Sequence, residues 1–259
     1  LPQLPDSEFL PPMELNCVEK ELQSSIAKNY NDRVLTIGRV AHITKGTKNG
    51  ARRSSCQYRN RCDRGCPYGS YFSSNSSTLP LAEKTGNLTL RSDSVVTEVL
   101  YNEKTQKATG VKVVDTKTKE VIEFKAKVVF LCASSMASTA ILLNSKSNRF
   151  PKGLGNDSGE LGHNVMDHQL GSGASGKYDG FEEKYYYGRR PNGFYIPRFR
   201  NIGGKEKGVD FLRGYGYQGG AGRGDWSSVI AEFGYGAEYK NAILKPGNWT
   251  IGMGGFGEV

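Results

Sequence analysis

The sequence predicts a mixed α/β fold with α+β character, and three stretches of the chain support this prediction. A continuous apolar run, Val128–Cys132, turns through small residues into a helix-forming segment. Short apolar segments between residues 87 and 124 are separated by turn residues, which is typical of antiparallel hairpins. Beyond Asp167 the chain becomes rich in Gly and Tyr, and its short apolar segments predict a second antiparallel sheet.

The run Val128–Cys132 is continuous rather than alternating, which favours a central strand covered on both faces. Ser134 or Ser135 is expected to cap the helix that follows. Small residues at such a turn let a ligand approach the backbone, and free N–H groups at the helix N-terminus favour a phosphate or another anion. Cys132 is predicted to be a packed, buried thiol. An ordinary strand, turn and helix without a ligand is the alternative interpretation.

The other elements follow from apolar spacing and turn residues. Residues 1–13 are Pro-rich and extended, and residues 14–30 have the apolar spacing of a helix. Residues 45–77 form a long polar segment, which suggests a functional loop or disorder. Aromatic residues of the last third, such as Tyr215 and Tyr217, either line a sugar-like pocket or pack between sheet faces. Strands are predicted at residues 34–37, 87–99, 110–114, 121–124, 194–199, 210–217, 229–239 and 249–252.

Three cysteines lie close together among arginines: Cys56, Cys62 and Cys66, the last followed by proline. Thiols at this spacing can reach one inorganic centre, and the arginines are expected to lower the pKa of each thiol. A proline after the last cysteine is also found in ferredoxin-type loops, where thiolates hold cluster irons. Zinc is disfavoured because structural zinc usually takes four protein ligands and the nearby histidine is His42 alone. Unligated thiols, or one disulfide with a spare thiol, are the alternative.

Composition limits the other classes of function. The net charge of +9 suits nucleic acid, an anionic surface or an anionic cofactor. No recognised nucleic-acid motif accompanies this charge, so no nucleic-acid role is predicted. No apolar run approaches the roughly 20 residues of a membrane span. Three G-x-G-x-x-G matches, which begin at Gly171, Gly214 and Gly252, are interpreted as chance matches among 33 glycines, because none opens a helix after a strand.

The order of these features resembles the glucose-methanol-choline (GMC) family of FAD oxidoreductases. The strand NLTLRSDSVVTEV, a three-stranded excursion, the run VVFLCASS and the segment GHNVMDH follow one another as they do in that family. The likeness is greatest to the flavoprotein subunits of gluconate and glucose dehydrogenases, which carry a CP-terminated cysteine loop before the adenine strand. The resemblance therefore identifies the chain as similar to an internal portion of such an enzyme.

The resemblance implies a partial FAD/NAD(P)-binding, Rossmann-like domain and part of an antiparallel-sheet substrate domain. The chain is therefore expected to divide into three parts. Residues 1–85 contain the extended segment, helix and cysteine loop, residues 86–170 belong to the FAD-binding domain, and residues 171–259 belong to the substrate-binding domain. The segment at residues 162–168 is implied to be structural and close to the cofactor.

The resemblance also implies individual site residues. Val96 matches the family's adenine-contacting valine, and Ala133 with Ser134 matches its Ala-Gly pair beside the flavin. Ser134 departs from this pattern, because the family has glycine at this position. A serine side chain restricts close approach of a ligand to the backbone. The resemblance implies an iron-sulfur cluster as well, with Cys56, Cys62 and Cys66 as its ligands.

The implied activity is oxidation of an alcohol or sugar CH–OH group by hydride transfer to FAD, with electrons passed to an acceptor other than oxygen, such as a cytochrome-type partner. The catalytic histidine and its partner are expected beyond Val259, so no catalytic residue is assigned and the chain alone is expected to be inactive. The sequence does not assign a compartment: the protein is either cytoplasmic, or it is periplasmic or associated with a membrane through a partner. The alternative function is a non-catalytic domain that binds anionic ligands or nucleic acid.

Overall fold

The structure, a computed structural model, describes residues 11–38, 41–44, 53–59, 62–184, 193–224, 235–245 and 247–258. The described residues form two units, and both contain helix and antiparallel sheet. This mixed fold class is the one that the sequence predicts. The first unit takes its residues from 1–87 and 167–259, and the second comprises Leu88–Met166.

Helix α1, Cys17–Asn29, begins at a capping box. The Asn16 side chain accepts a hydrogen bond from the Glu19 amide at 3.0 Å, and the Glu19 carboxylate accepts one from the Asn16 amide at 2.9 Å. This reciprocal pair satisfies N–H groups that a helix N-terminus otherwise leaves free. The helix therefore begins three residues later than the apolar spacing predicts.

The main sheet of the first unit is antiparallel throughout, with strand order β1-β6-β7-β8-β5. Leu15 and Ile26, beside and within α1, share a buried cluster with Phe194 and Ile196 of the sheet. This packing buries the apolar stripe of the helix, as its spacing predicts. The strands are β1 Thr36–Ile37, β5 Gly173–Tyr178, β6 Phe194–Ile196, β7 Tyr215–Arg223 and β8 Trp249–Gly257.

Two features of this sheet differ from the sequence prediction. The predicted strand at residues 229–239 is not seen: residues 229–234 lie outside the described residues, and the end of the segment belongs to helix α4, Gly236–Leu244. Ala, Glu, Lys and Leu in that segment are good helix formers, which explains the difference. Strand β5 was not predicted because its sequence, GASGKY, lacks apolar alternation. The three G-x-G-x-x-G matches lie along β5, β7 and β8, so none of them opens a helix after a strand.

The second unit contains a three-stranded antiparallel meander of β2 Ser94–Asn102, β3 Lys107–Asp115 and β4 Val121–Lys125. Its two turns lie where the sequence predicts them. At the second turn, the Asp115 carboxylate accepts hydrogen bonds from the amides of Thr118 and Lys117 at 2.9 and 2.8 Å. These bonds are the main reason that the pKa of Asp115 is lowered to about 2.

The prediction of a buried central strand at Val128–Cys132 is wrong for the structure. The run belongs to no strand, and Val128 and Phe130 are 64% and 83% exposed. Cys132 is likewise exposed rather than packed. The physical reason is that no described strand lies beside the run, so its apolar side chains have no sheet neighbours to cover them. Helix α3, Ser134–Asn144, follows as predicted.

The remaining described helical segments are short: α2 Thr78–Glu83 and two single 3₁₀ turns at Cys62–Arg64 and Ser74–Ser76. Within the described ranges, no helix has the length and apolar character needed to cross a bilayer.

Candidate functional site

The turn into α3 has a glycine-like backbone. Ser134 has φ +66°, in the left-handed region that favours glycine. The helix N-cap is Ala133, and no side chain caps the helix there. The expectation that Ser134 or Ser135 caps this helix is therefore wrong, because Ser134 is taken up in the turn itself and Ser135 lies inside the helix. The amides of the first turn have no side-chain cap, which is the arrangement that suits an anion.

Val96 lies on β2 at a local irregularity. It pairs with Val113 of β3, and the register shifts between Val96 and Glu98. Such a bulge bends the strand and changes the direction of the neighbouring side chains. The Val96 side chain is partly buried, so part of its surface remains available for contact.

Strand β2 and helix α3 pack directly against each other. Ser145, at the end of α3, is buried, and its hydroxyl accepts a hydrogen bond from the Val99 amide at 2.8 Å. The same hydroxyl donates to the Ile141 carbonyl at 2.6 Å. This connection fixes the strand that carries Val96 to the helix that begins at Ser134, within one unit.

We expect the substitution Ser134→Gly to stabilise the protein by about 0.5–1 kcal/mol. A left-handed backbone costs a non-glycine residue about 1–2 kcal/mol, and the higher entropy of the unfolded chain with glycine offsets only part of this gain. The matched control is Ser135→Gly, one residue further into the helix, which is expected to destabilise by about 0.5 kcal/mol. Urea unfolding followed by circular dichroism measures both. Two changes of the same sign would contradict the strained turn.

The cysteine loop is held against a short segment at residues 41–44. The Ile43 amide donates to the Ser70 carbonyl, and the Cys56 amide donates to the Ile43 carbonyl, each at 2.9 Å. His42 forms an isolated antiparallel bridge with Tyr71. The described parts of the polar segment 45–77, namely residues 53–59 and 62–77, are therefore organised around residues 41–44. This favours the interpretation of a functional loop over that of disorder.

Cys56, Cys62 and Cys66 line one cavity of about 20 Å³ together with His42. The Cys56 sulfur accepts a hydrogen bond from the Tyr58 amide at 3.4 Å. A cavity of this size holds about one water molecule. Across the described ranges, no three His, Cys, Asp or Glu side chains are already arranged to hold a metal ion. The three thiols are thus neighbours, but they do not form a completed metal site.

Hydrogen bonding activates the Cys66 thiol. Burial by itself raises its pKa, but bonds from the Ser70 hydroxyl and from the amides of Tyr71, Tyr68 and Ser70 outweigh burial and lower it to about 7. The Cys66 sulfur lies 3.3 Å from the Ser70 hydroxyl. A thiol whose pKa is about 7 is roughly half thiolate at pH 7, and the thiolate is the form that binds metals.

The described arginines contact the backbone and rings of the loop. Among the described residues, no arginine is a cause of the lowered pKa of Cys66, which differs from the expectation from the sequence. The Arg53 guanidinium instead donates to the Gly69 carbonyl at 2.7 Å, which ties the two ends of the loop together. Arg59 lies over the Tyr68 ring, with 5.7 Å from the guanidinium carbon to the ring centre. Arg52 and Arg61 lie outside the described residues.

A larger cavity, of about 510 Å³, lies on the sheet of the first unit. Tyr215 and Tyr217 line it, and their ring centres are 5.6 Å apart. The Glu258 carboxylate, also in the lining, accepts hydrogen bonds from Arg198 and from the Gly214 amide at 2.6 and 3.2 Å. Trp249, by contrast, is a buried packing residue, and Trp226 lies outside the described residues.

A family model matches a large part of the chain. The model of the GMC oxidoreductase family matches residues 18–170, more than half of the 259 residues. The chain belongs to the GMC oxidoreductase family. The N-terminal domain of this family is an FAD-binding, Rossmann-like domain, so the GMC chain contains part of such a domain.

A curated relative gives the same family context. This GMC chain is 34% identical over 106 residues to a 2-methyl-1,2-propanediol dehydrogenase of Mycolicibacterium austroafricanum. The match covers 41% of the chain and 19% of the relative. The GMC chain therefore matches about a fifth of the length of this dehydrogenase.

The sequence did not assign a role to His42 or Glu258. His42 had one available signal, namely that it is the histidine nearest to the cysteine loop. Glu258 had none, because its partners Arg198 and Gly214 lie 60 and 44 residues away in the chain.

Proposed function

We propose that the chain is part of an FAD-dependent oxidoreductase that oxidises an alcohol or sugar CH–OH group by hydride transfer to the flavin. Family membership supports this proposal. The observation that carries it is the glycine-like backbone of Ser134 at a helix N-terminus without a side-chain cap, at the position where the family has its Ala-Gly pair.

In this proposal each residue has a physical role. Ala133 and Ser134 have small side chains, and Ser134 adopts the left-handed backbone of a glycine, so the turn would leave room for the flavin. The uncapped amides of α3 would face negative charge on the cofactor. Val96 would supply an apolar contact for the adenine from β2. The bound FAD supplies the hydride acceptance, which is chemistry that side chains do not provide.

The exposed apolar run fits the same proposal. Val128, Phe130 and Met136 are 64%, 83% and 82% exposed, and exposed apolar clusters of this kind usually mark a surface that another element covers. We propose that further strands of the complete protein cover the run and complete the sheet. The boundaries 1–85, 86–170 and 171–259 remain part of this proposal.

We further propose that Cys56, Cys62 and Cys66 hold an iron-sulfur cluster, through which electrons leave to a cytochrome-type acceptor rather than to oxygen. The support is chemical: three thiols line one cavity, and hydrogen bonds lower the pKa of Cys66 to about 7, which favours its thiolate form. The cavity of about 20 Å³ is smaller than a cluster, so the loop in the described conformation does not accommodate one.

Cofactor analysis of the full-length protein, prepared anaerobically, tests both parts. FAD is expected in stoichiometric amount, together with iron and acid-labile sulfide. Cys56→Ser, Cys62→Ser and Cys66→Ser are each expected to lose iron and keep FAD, while the matched control Cys17→Ser, in α1, keeps both.

Each negative result has a separate meaning. Wild-type protein with FAD but without iron and sulfide would end the cluster proposal and leave a cluster-free enzyme of the same family. Protein without FAD that binds random DNA in a salt-dependent manner would support the non-catalytic alternative.

A further inference from the structure

The cavity of about 510 Å³ on the sheet of the first unit has no assigned ligand. Two paired strands contribute to its lining: Tyr215 of β7 lies opposite Gly257 of β8, and Tyr217 lies opposite Gly255. Residues directly opposite each other in a sheet project to the same face. Each tyrosine therefore has a neighbour without a side chain, and this leaves open space beside the two rings.

The backbone does not require the glycine at position 255. Its φ lies outside the left-handed region that favours glycine, and a Cβ atom there would meet its nearest neighbours, the Ser172 carbonyl oxygen and the Tyr217 ring, at 3.5 Å. Such distances are ordinary van der Waals contacts. Neither strain nor a clash explains why Gly255 has no side chain, and its effect on the molecule is to keep the cavity beside Tyr217 open.

The size and the apolar part of the lining suit a small molecule. Clefts that bind such ligands measure roughly 300–1,000 Å³ and are lined mainly by apolar and aromatic side chains. The Phe211 ring lies beside the Tyr215 ring, with 5.8 Å between their centres, and both line the cavity. Phe211 and Leu212 are 39% and 72% exposed, so this apolar surface is open to a ligand.

The polar groups of the lining are fixed in place. One oxygen of Glu258, Oε2, accepts from Arg198 and from the Gly214 amide, while within the described part of the chain Oε1 has no hydrogen-bond partner. Arg198 balances the carboxylate charge, so Oε1 suits the hydroxyl donor of a neutral ligand better than a cation. The backbone of Gln169 is held by two hydrogen bonds with Gly257, at 3.0 and 3.2 Å, and its side-chain amide offers both a donor and an acceptor.

We propose that this cavity binds a sugar, that is, a neutral ring with several hydroxyl groups. A sugar ring has an apolar C–H face, which can pack on Tyr217, and hydroxyl groups at its edge, which can bond to Glu258 and Gln169. A purely apolar ligand would instead remove these two polar side chains from water without replacing their hydrogen bonds, which is costly. The inference goes beyond the flavin proposal and does not depend on it, because all these residues belong to the first unit and none is assigned to FAD.

Isothermal titration calorimetry of the full-length protein, without an electron acceptor, tests the inference. The ligands are D-glucose, D-galactose, D-mannose and D-xylose, and cyclohexanol, a ring of similar size with one hydroxyl group, is the control ligand. We expect at least one of the sugars to bind roughly tenfold more tightly than cyclohexanol, because the sugar can bond to the fixed polar groups.

Two variants change the cavity in different ways. Gly255→Leu fills the space beside Tyr217, and we expect it to weaken sugar binding by at least roughly tenfold. Glu258→Gln keeps an oxygen for Arg198 and Gly214 but places an amide nitrogen, a donor, at the position of Oε1. We expect this change to weaken sugar binding by roughly tenfold and to leave the binding of cyclohexanol nearly unchanged.

The matched control is Gly254→Leu, one residue earlier in β8. Successive residues of a strand point to opposite faces, and a Cβ atom at Gly254 would meet nothing within 4 Å, so its sugar affinity should stay within about twofold of wild type. Thermal unfolding shows whether each variant is folded, and if Gly255→Leu is not, Glu258→Gln decides. Absence of sugar binding, equal affinity for cyclohexanol, or wild-type sugar affinity in the folded cavity variants would overturn the inference.

Discussion

Glu19→Ala is expected to lower the free energy of unfolding by about 4 kcal/mol, because two buried amides each lose their acceptor at about 1–3 kcal/mol. Glu19 is 2% exposed. One carboxylate oxygen accepts from the Asn16 amide at 2.9 Å, and the other accepts from the Ala221 amide at 3.0 Å. The Asn16 side chain completes the arrangement by donating to the Ala221 carbonyl at 2.8 Å.

Among the described residues, this arrangement takes the place of strand pairing on one side of Ala221. Strand β6 pairs with β7 only from Tyr217 to Gly219, so the backbone of Ala221 has no partner from β6. The side chains of Asn16 and Glu19 supply both the donor and the acceptor that a neighbouring strand would supply. The N-terminus of α1 is thereby fixed to the sheet.

Urea unfolding of wild type and variants measures the effect. The matched control is Glu14→Ala, where an exposed glutamate forms a surface ion pair with Lys20 at 3.4 Å and should contribute less than about 0.5 kcal/mol. Glu19→Gln keeps one acceptor and is expected to fall between the two. Similar losses in Glu19→Ala and Glu14→Ala would show that the buried bonds do not stabilise the fold.

Gly110→Ala is expected to destabilise the second unit by about 3 kcal/mol, from steric overlap and backbone strain of about 1–3 kcal/mol each. Gly110 lies in β3 at φ +155°. A Cβ atom there would overlap the Phe124 carbonyl oxygen and would lie 2.9 Å from the Lys125 Cα atom. Both atoms belong to the backbone of β4, which cannot move without breaking the pairing.

The control for this prediction is Gly176→Ala in β5, where a Cβ atom would meet nothing within 4 Å and the change should be nearly neutral. Because β3 also pairs with β2, the Gly110 variant is expected to weaken FAD retention by the full-length protein as well. Thermal unfolding and the ratio of flavin to protein absorbance measure the two effects. An unaffected Gly110 variant would contradict the close approach of the two strands.

Much of the secondary structure was predictable because its causes are local. The turn residues between Asn102 and Lys107 and between Thr116 and Lys119 lie beside the strands that they join, so the meander could be predicted from neighbouring residues. The capping box joins Asn16 and Glu19, three positions apart, so its cause is also local, although apolar spacing alone placed the start of the helix at residue 14. The close spacing of the three cysteines in the chain likewise predicted that they meet at one cavity.

Other features depend on partners far away in the chain, so no local pattern could predict them. The apolar run at Val128–Cys132 has the composition of a buried strand, but burial requires neighbouring strands, and the described residues provide none. The Glu19 contact with Ala221 spans 202 residues, and the His42 contact with Cys62 spans 20. A pattern of residue types does not state which distant backbone group remains unpaired.

The sequence by itself determined the family, the hairpins, the start of α3 near Ala133 and the grouping of three thiols, because spacing and residue type act over a few positions. The tertiary structure alone decided that Ser134 adopts a glycine-like backbone, that hydrogen bonds lower the pKa of Cys66, and that His42 is directed at Cys62. Each of these depends on which segments fold against one another, and long-range contacts determine that.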